Sequence, residues 1–420
     1  MQNKQSKRIL FLPYTYTLGG GSEKILHTIL KSLDKSKYAT FLLECSHFKN
    51  FKNDVKGLRL LYPIIDFTRI DFVHYFSKII LILTKYFPLL GKLLVPADSF
   101  DVAISFNYQY PSFLLCNVKA NKKIAWVHGS IEDLDYSLEK GFAMLKTYIS
   151  YIAQERVFKS VDKIVVISNK TFDSVVKLYP FCLDKIEFIP NGLDLHMIQS
   201  MSKEYIVKKK ADFQLIFVGR LDANKNVLFL IEVLARLLNK GEDVSMIILG
   251  EGSMLHSLQK KALELNVERN ISFLGYVNNP YPYILSSDLV CLASYAEGLP
   301  TVLIEGLALG IPFISSDVGG VKELSAGGTC GFVSELDIDI YSKYIFLYSK
   351  DANRQDEMRK MAKRYFDGSF EMSLARSNNL ASSSTLKSSG LSKCLIIEKP
   401  PCVYLIKIIT LFCCIFLTEP

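Results

Sequence analysis

No Cys-x-x-Cys pair occurs in the 420 residues, although the chain holds nine cysteines. The number is odd and the residues are scattered, so reduced cytoplasmic thiols are expected and a disulfide framework is not. Apolar runs are short. In the tail the uninterrupted stretch is 408–417, and extending it back to Val403 takes in Lys407, too little to cross a bilayer. The apolar residues after Lys7-Arg8 stop at Pro13, so no signal peptide is expected. Glycines are present without the G-x-G-x-x-G spacing of a dinucleotide fingerprint, and none leads into the Gly-Lys-Ser/Thr of a P-loop. No DxD-like metal site is evident, and no nucleic-acid motif matches. What remains is globular: 49% hydrophobic and 22% charged, with length for two domains. The net charge of +8 suits anionic partners such as nucleotides, lipid phosphates or an acidic membrane face.

The chain is organised around residues 295–320, YAEGLPTVLIEGLALGIPFISSDVGG. Glu297 and Glu305 are separated by seven residues, with Gly298, Leu299 and Pro300 between them reading as a turn into a helix. Glu297 is expected in the loop before that helix and Glu305 in its second turn, with Gly310 ending it. A helix start gathers unpaired backbone N–H groups and the positive end of the dipole, which suits a phosphate. Carboxylates beside it can accept paired hydrogen bonds from sugar hydroxyls.

Upstream, Gln214–Val218 reads as a strand running into GRLDANKN. Gly219 allows the turn, Arg220 supplies a planar fork for phosphate oxygens and Lys225 a point charge. Asp243–Leu249 is a strand ending in Gly250-Glu251-Gly252, Asn270–Leu274 is followed by Gly275-Tyr276-Val277, and 288–292 leads into the central stretch. After residue 337 the chain reads as helical to 367.

The first half repeats the alternation. Strands are expected at Arg8–Leu12, Tyr38–Cys45, Leu58–Tyr62, Asp101–Ser105, Lys122–Val127, Lys163–Ser168 and Lys185–Ile189. Gly19-Gly20-Gly21 follows the first of them and a helix begins at Ser22. His128 lies just past the fifth strand, where parallel sheets gather ligands. Residues 72–95 are apolar and aromatic, with Lys78, Lys85 and Lys92 spaced seven apart, so a helix would line them on one stripe against lipid phosphates. Strand–helix alternation through both halves predicts two doubly wound α/β domains.

Glu297-x7-Glu305 with GIPFISSDVGG, together with GRLDANKN, WVHG and PNGLD, resembles the retaining glycosyltransferases of family 4. The resemblance spans roughly residues 8–370 and implies the GT-B fold, two Rossmann-like domains facing a cleft. It divides the chain into an acceptor-binding domain at 1–195 and a nucleotide-sugar domain at 196–370; residues 371–420, serine-rich and then apolar, depart from it and read as an irregular, poorly ordered or membrane-associated tail. It implies sugar transfer from a nucleotide diphosphate sugar, a UDP-sugar first, to a hydroxyl of a glycan or lipid-linked oligosaccharide in surface polysaccharide assembly. Arg220, Lys225, Glu297 and His128 would be catalytic, the two cations replacing a metal. Gly20, Gly21, Gly219, Gly250, Gly252, Val277, Gly298, Leu299, Pro300 and Glu305 would bind substrate. No cofactor is implied beyond the donor. The site is expected to be cytoplasmic, peripheral at the inner membrane face through 72–95. Two other classes stay open at this point: a different GT-B enzyme (phosphorylase or sugar-nucleotide epimerase) and a non-catalytic sugar-nucleotide-binding protein.

Overall fold

A computed structural model describes residues 6–16, 21–45, 55–61, 79–189 and 191–364. Two compact units divide between Leu193 and Asp194. The strands of the first are β1 (Lys7–Leu12), β2 (Tyr38–Leu42), β3 (Arg59–Leu60), β4 (Ser99–Ser105), β5 (Lys119–Val127), β6 (Lys163–Val166) and β7 (Ile186–Phe188). All pair in parallel, in the order β3-β2-β1-β4-β5-β6-β7. Near-continuous apolar runs are what such a sheet demands, since helices cover both faces. Ile9, Leu10, Phe11 and Leu12 are accordingly all buried. Strand order reverses between β1 and β4, which opens a crevice at their carboxyl ends.

The second unit repeats the scheme with β8 (Phe213–Val218), β9 (Val244–Leu249), β10 (Ile271–Gly275), β11 (Leu289–Leu292), β12 (Phe313–Ser316) and β13 (Gly331–Ser334). Its parallel order is β10-β9-β8-β11-β12-β13, and the reversal falls between β8 and β11. The helices Val227–Asn239 and Ile338–Lys350 meet through an edge-on contact of Phe229 with Tyr341, ring centroids 5.2 Å apart. The Tyr341 hydroxyl, wholly buried, lies 2.7 Å from Leu292 O and 3.0 Å from Ile314 O. It thereby ties the carboxyl end of β11 to β12. Tyr341→Phe leaves those carbonyls short of a donor and should lower the stability of this unit by about 1–3 kcal/mol, read as a fall in the urea midpoint at constant slope.

Three expectations are corrected. Residues 72–95 do not form one helix with a lysine stripe. Residues 72–78, with Lys78, lie outside the described residues; 79–83 are helical, and a 3-10 turn covers Pro88–Leu93. Lys85 points inward, its Nζ donating to Lys146 O at 3.2 Å. Proline at 88 ends the helical pattern and seven-residue spacing loses its meaning there. The helical stretch after 337 is two helices, Ile338–Lys350 and Ala352–Arg364, with Asp351 between them accepting from Arg354 N at 2.9 Å. The last strand, β13, was not anticipated: GFVS is short and shows no alternation to read. Gly19, Gly20, Pro190 and everything from residue 365, including the 371–420 tail, lie outside the described residues.

Candidate functional site

In the second unit the predicted residues converge on the carboxyl edge where β8 and β11 part. Beyond Val218 the chain passes Gly219 and Arg220, and Asp222 Oδ1 accepts from Lys225 N at 3.1 Å. That bond closes a short 3-10 turn, Ala223–Lys225. Asn226 then takes a left-handed φ of +48° and the helix Val227–Asn239 begins. Asparagine tolerates this region because its side chain bonds locally. The turn aims Lys225 at the loop after β11: its Nζ lies 2.5 Å from Glu297 Oε1. Only 18% of the lysine side chain and 13% of the glutamate's are exposed, so the pair is poorly screened. Two further bonds lace the loops together, Tyr295 N to Asn224 O and Asn224 Nδ2 to Ala296 O, each 2.9 Å. Arg220 stands apart and exposed, with Nη2 3.4 Å from Asp222 Oδ2.

Glycines let the neighbouring loops close in. Gly219 N bonds Leu249 O at 3.0 Å, and Gly250 N bonds Gly275 O at 2.7 Å. Gly250 sits at φ +138°, and a Cβ there would collide with Gly219 O. Gly252 packs beside Leu221 in the same cluster, and Val277 follows two residues after β10. Gly319, at φ +53°, faces the carbonyl of Gly298 so closely that a Cβ would overlap it, while Gly320 N bonds that carbonyl at 2.8 Å. Leu299 is buried beneath the turn. Pro300 caps the helix Thr301–Ala308. Gly310 ends it at φ +75°, with Ile311 N bonded to Gly306 O at 2.8 Å. Glu305 lies in the second turn and is 1% exposed. Its neighbour Tyr281 has its phenol pushed well up by burial and, less, by the charges of Glu305 and Asp194.

In the first unit Gly21 opens the helix Gly21–Ser32. His128 follows the end of β5 and stacks on Trp126, centroids 5.6 Å apart with an angle of 6°, and against Phe106 at 4.4 Å. Among the described residues neither ring nitrogen has a hydrogen-bond partner, nor does Asn191 Oδ1. Burial pushes the imidazole down to about 3, with Asn191 acting weakly the other way, so His128 is neutral at physiological pH.

Sequence reading passed over two D-x-D strings, and the structure occupies both. Asp133 accepts from Tyr108 and Gln109, and Asp135 from Lys177 Nζ at 3.0 Å. Asp337 caps the helix Ile338–Lys350 and Asp339 pairs with Arg236. Asp222 and Asn224, which set the Lys225–Glu297 geometry, also went unassigned. Both lie inside GRLDANKN, where only their polarity marked them.

Two Rossmann-ordered sheets in one chain, the second with a cation–carboxylate pair at its switch point, define the GT-B class of sugar-transferring folds. The chain belongs to glycosyltransferase family 4: the model for Glycosyltransferase Family 4 matches residues 19–196, and that for Glycosyl transferases group 1 matches 200–365. It is 32% identical over 208 residues, 49% of this chain and 55% of the relative, to the N-acetylgalactosamine-N,N'-diacetylbacillosaminyl-diphospho-undecaprenol 4-alpha-N-acetylgalactosaminyltransferase of Campylobacter jejuni. A second C. jejuni enzyme, a GalNAc-alpha-(1->4)-GalNAc-alpha-(1->3)-diNAcBac-PP-undecaprenol alpha-1,4-N-acetyl-D-galactosaminyltransferase, is 28% identical over 353 residues, 82% of this chain and 90% of that one. The chain spans about half the length of the first curated relatives it matches, 50% and 55%. Among solved structures, Anabaena HepE in complex with UDP and glucose superposes with a TM-score of 0.64 at 15% identity, covering 90% of this chain and all of that one.

Proposed function

We propose that this chain is a retaining, metal-independent transferase that moves a sugar from a UDP-sugar to a hydroxyl of a lipid-linked glycan. Its place is surface polysaccharide assembly, at the cytoplasmic face of the cell membrane. The observation that carries the reading is the 2.5 Å contact of Lys225 Nζ with Glu297 Oε1 at the carboxyl edge between β8 and β11. When the anomeric carbon leaves the diphosphate, negative charge grows on the leaving group and positive charge on the ring. Lys225, Arg220 and the N–H groups at the start of Thr301–Ala308 meet the first; Glu297 fixes Lys225 and accepts from sugar hydroxyls. Glu305 takes the ribose hydroxyls. Gly219, Gly250, Gly252, Gly298 and Val277 bring main chain to the nucleotide. Neutral His128 offers one donor and one acceptor to a substrate hydroxyl. With retention the departing phosphate oxygen accepts the acceptor's proton, and no separate base is required.

UDP is favoured as the nucleotide by its presence in the HepE structure, and a lipid-linked acceptor by the undecaprenol-linked substrates in the names of the C. jejuni relatives. No helix among the described residues is long and apolar enough to cross a membrane. Contact with the bilayer would instead use exposed apolar residues. Phe87 and Leu89 follow Lys85, and Leu138, Phe142 and Leu145 lie around Lys146, whose carbonyl holds Lys85. Lys92, Lys140 and Lys146 supply charge to lipid phosphates.

The test is nucleotide release from UDP-, GDP- and ADP-sugars, with and without a membrane lipid extract. UDP release that requires the extract and persists in EDTA is the expected result. Nucleotide binding with no release from any donor would overturn the reading.

A further inference from the structure

The switch point of the first sheet carries a second, unassigned constellation. Leaving β4, residues Phe106 to Tyr110 turn across the carboxyl end of β1: Phe106 N bonds Leu12 O at 2.8 Å, and Asn107 Oδ1 accepts from Tyr14 N at 3.1 Å. Gln109 stands at φ +63°, ψ −122°, a conformation that strains any residue with a Cβ. Such strain costs about 1–3 kcal/mol and persists only where the surroundings enforce it. Here they do. Gln109 N donates to Gln154 Oε1 at 2.8 Å, from a side chain wholly buried in the helix Gly141–Ser160. Ser112 Oγ lies 2.7 Å from Gln109 O and 3.1 Å from the same Gln154 oxygen.

The strained turn puts two side chains on one carboxylate. Tyr108 OH donates to Asp133 Oδ1 at 3.1 Å, and Gln109 Nε2 donates to Asp133 Oδ2 at 3.0 Å. Asp133 is held from both oxygens yet remains exposed, and so does part of the Tyr14 ring, 6.4 Å from Tyr110 on the same turn. A carboxylate so oriented keeps further acceptor positions, and Gln109 Oε1 adds another. A row of acceptors beside a tyrosine ring matches a hydroxyl-rich ring with an apolar face. It repels an anion, and one carboxylate is a poor cage for a cation.

We infer that Asp133, Gln109 and Tyr108, with the Tyr14 ring near Tyr110 on the same turn, form a subsite for a sugar ring of the acceptor glycan. The inference rests on the transferase reading above. Asp133→Asn, Asp133→Ala and the milder Tyr108→Phe test it by separate Michaelis constants for acceptor and donor. The acceptor KM should rise about tenfold or more in the Asp133 variants, the scale for losing a hydrogen bond to a charged group. The donor KM should move less than twofold, and Tyr108→Phe should give a smaller rise of the same kind. An acceptor KM unmoved in all three would overturn the assignment. A second arm separates this failure from failure of the transferase reading. Saturation-transfer NMR with methyl glycosides of hexoses and N-acetylhexosamines, without donor, reads the subsite directly. Transfer to the ring protons that is lost in Asp133→Ala and weakened in Tyr108→Phe supports it even where no donor turns over; equal transfer in wild type and variants refutes it.

Discussion

Lys225→Ala should lower kcat by a factor of about a hundred or more, the scale on which removal of a preorganised transition-state donor is felt. The ammonium sits in a loop shaped by Asp222 and Asn226 and is 18% exposed. Screening is weak there, so its attraction for the developing charge on a leaving diphosphate is large. Glu297→Ala should cost a comparable factor for two reasons: sugar hydroxyls lose an acceptor, and Lys225 loses the group 2.5 Å away that positions it. The double variant should then lose much less than the product of the single losses, because each residue acts through the other. Lys225→Arg should not restore the rate, since a planar fork cannot occupy a point charge's place against Glu297. Steady-state kinetics on protein of unchanged melting temperature decide it. Near wild-type rates in both single variants would sink the site assignment, and strictly multiplicative losses would dissolve the pair.

The loops of the proposed donor site were legible in the sequence because each of them is local. Gly219 to Asn226 and Glu297 to Pro300 each sit within one strand–loop–helix step, so a short string carries their chemistry. The strands anticipated lie where apolar runs demanded them, within a few residues. β13 escaped because its apolar run is only Phe332 and Val333, set between a glycine and a serine. The constellation at Gln109 could not be read, since its members come from positions 14, 108–109, 133 and 154. Its signature is a backbone angle, invisible in a one-dimensional string. The reading of 72–95 failed for a related reason. Lysines seven apart imply a stripe only on an unbroken helix, and Lys85 instead spends its ammonium on Lys146 O.

His128 should make the first unit sensitive to acid. Its imidazole lies at about 3 in the folded chain against 6.5 as the ordinary value, because burial without a charged partner disfavours the cation. The unfolded state therefore binds a proton that the folded state refuses wherever the pH lies between those values. Stability is unaffected by this residue above 6.5 and falls as the pH drops below it, by about 1.4 kcal/mol per unit, until the folded histidine itself titrates near 3. By pH 5 the loss amounts to about 2 kcal/mol. A neutral replacement of similar polarity, His128→Gln, removes the slope. Urea unfolding of both proteins at pH 7.5, 6 and 5 gives the comparison, with carboxylates common to the two cancelling in the difference. The gap between wild type and variant should shift toward the variant by about 2 kcal/mol from pH 7.5 to 5. A gap independent of pH would mean that His128 binds its proton equally well in the folded and unfolded chains, so that burial does not disfavour the cation. A gap that shifts toward the wild type as the pH falls would mean that the fold favours the imidazolium; it would then meet phosphate as a cation, and the turnover of the wild type would fall as the pH rises through its pKa.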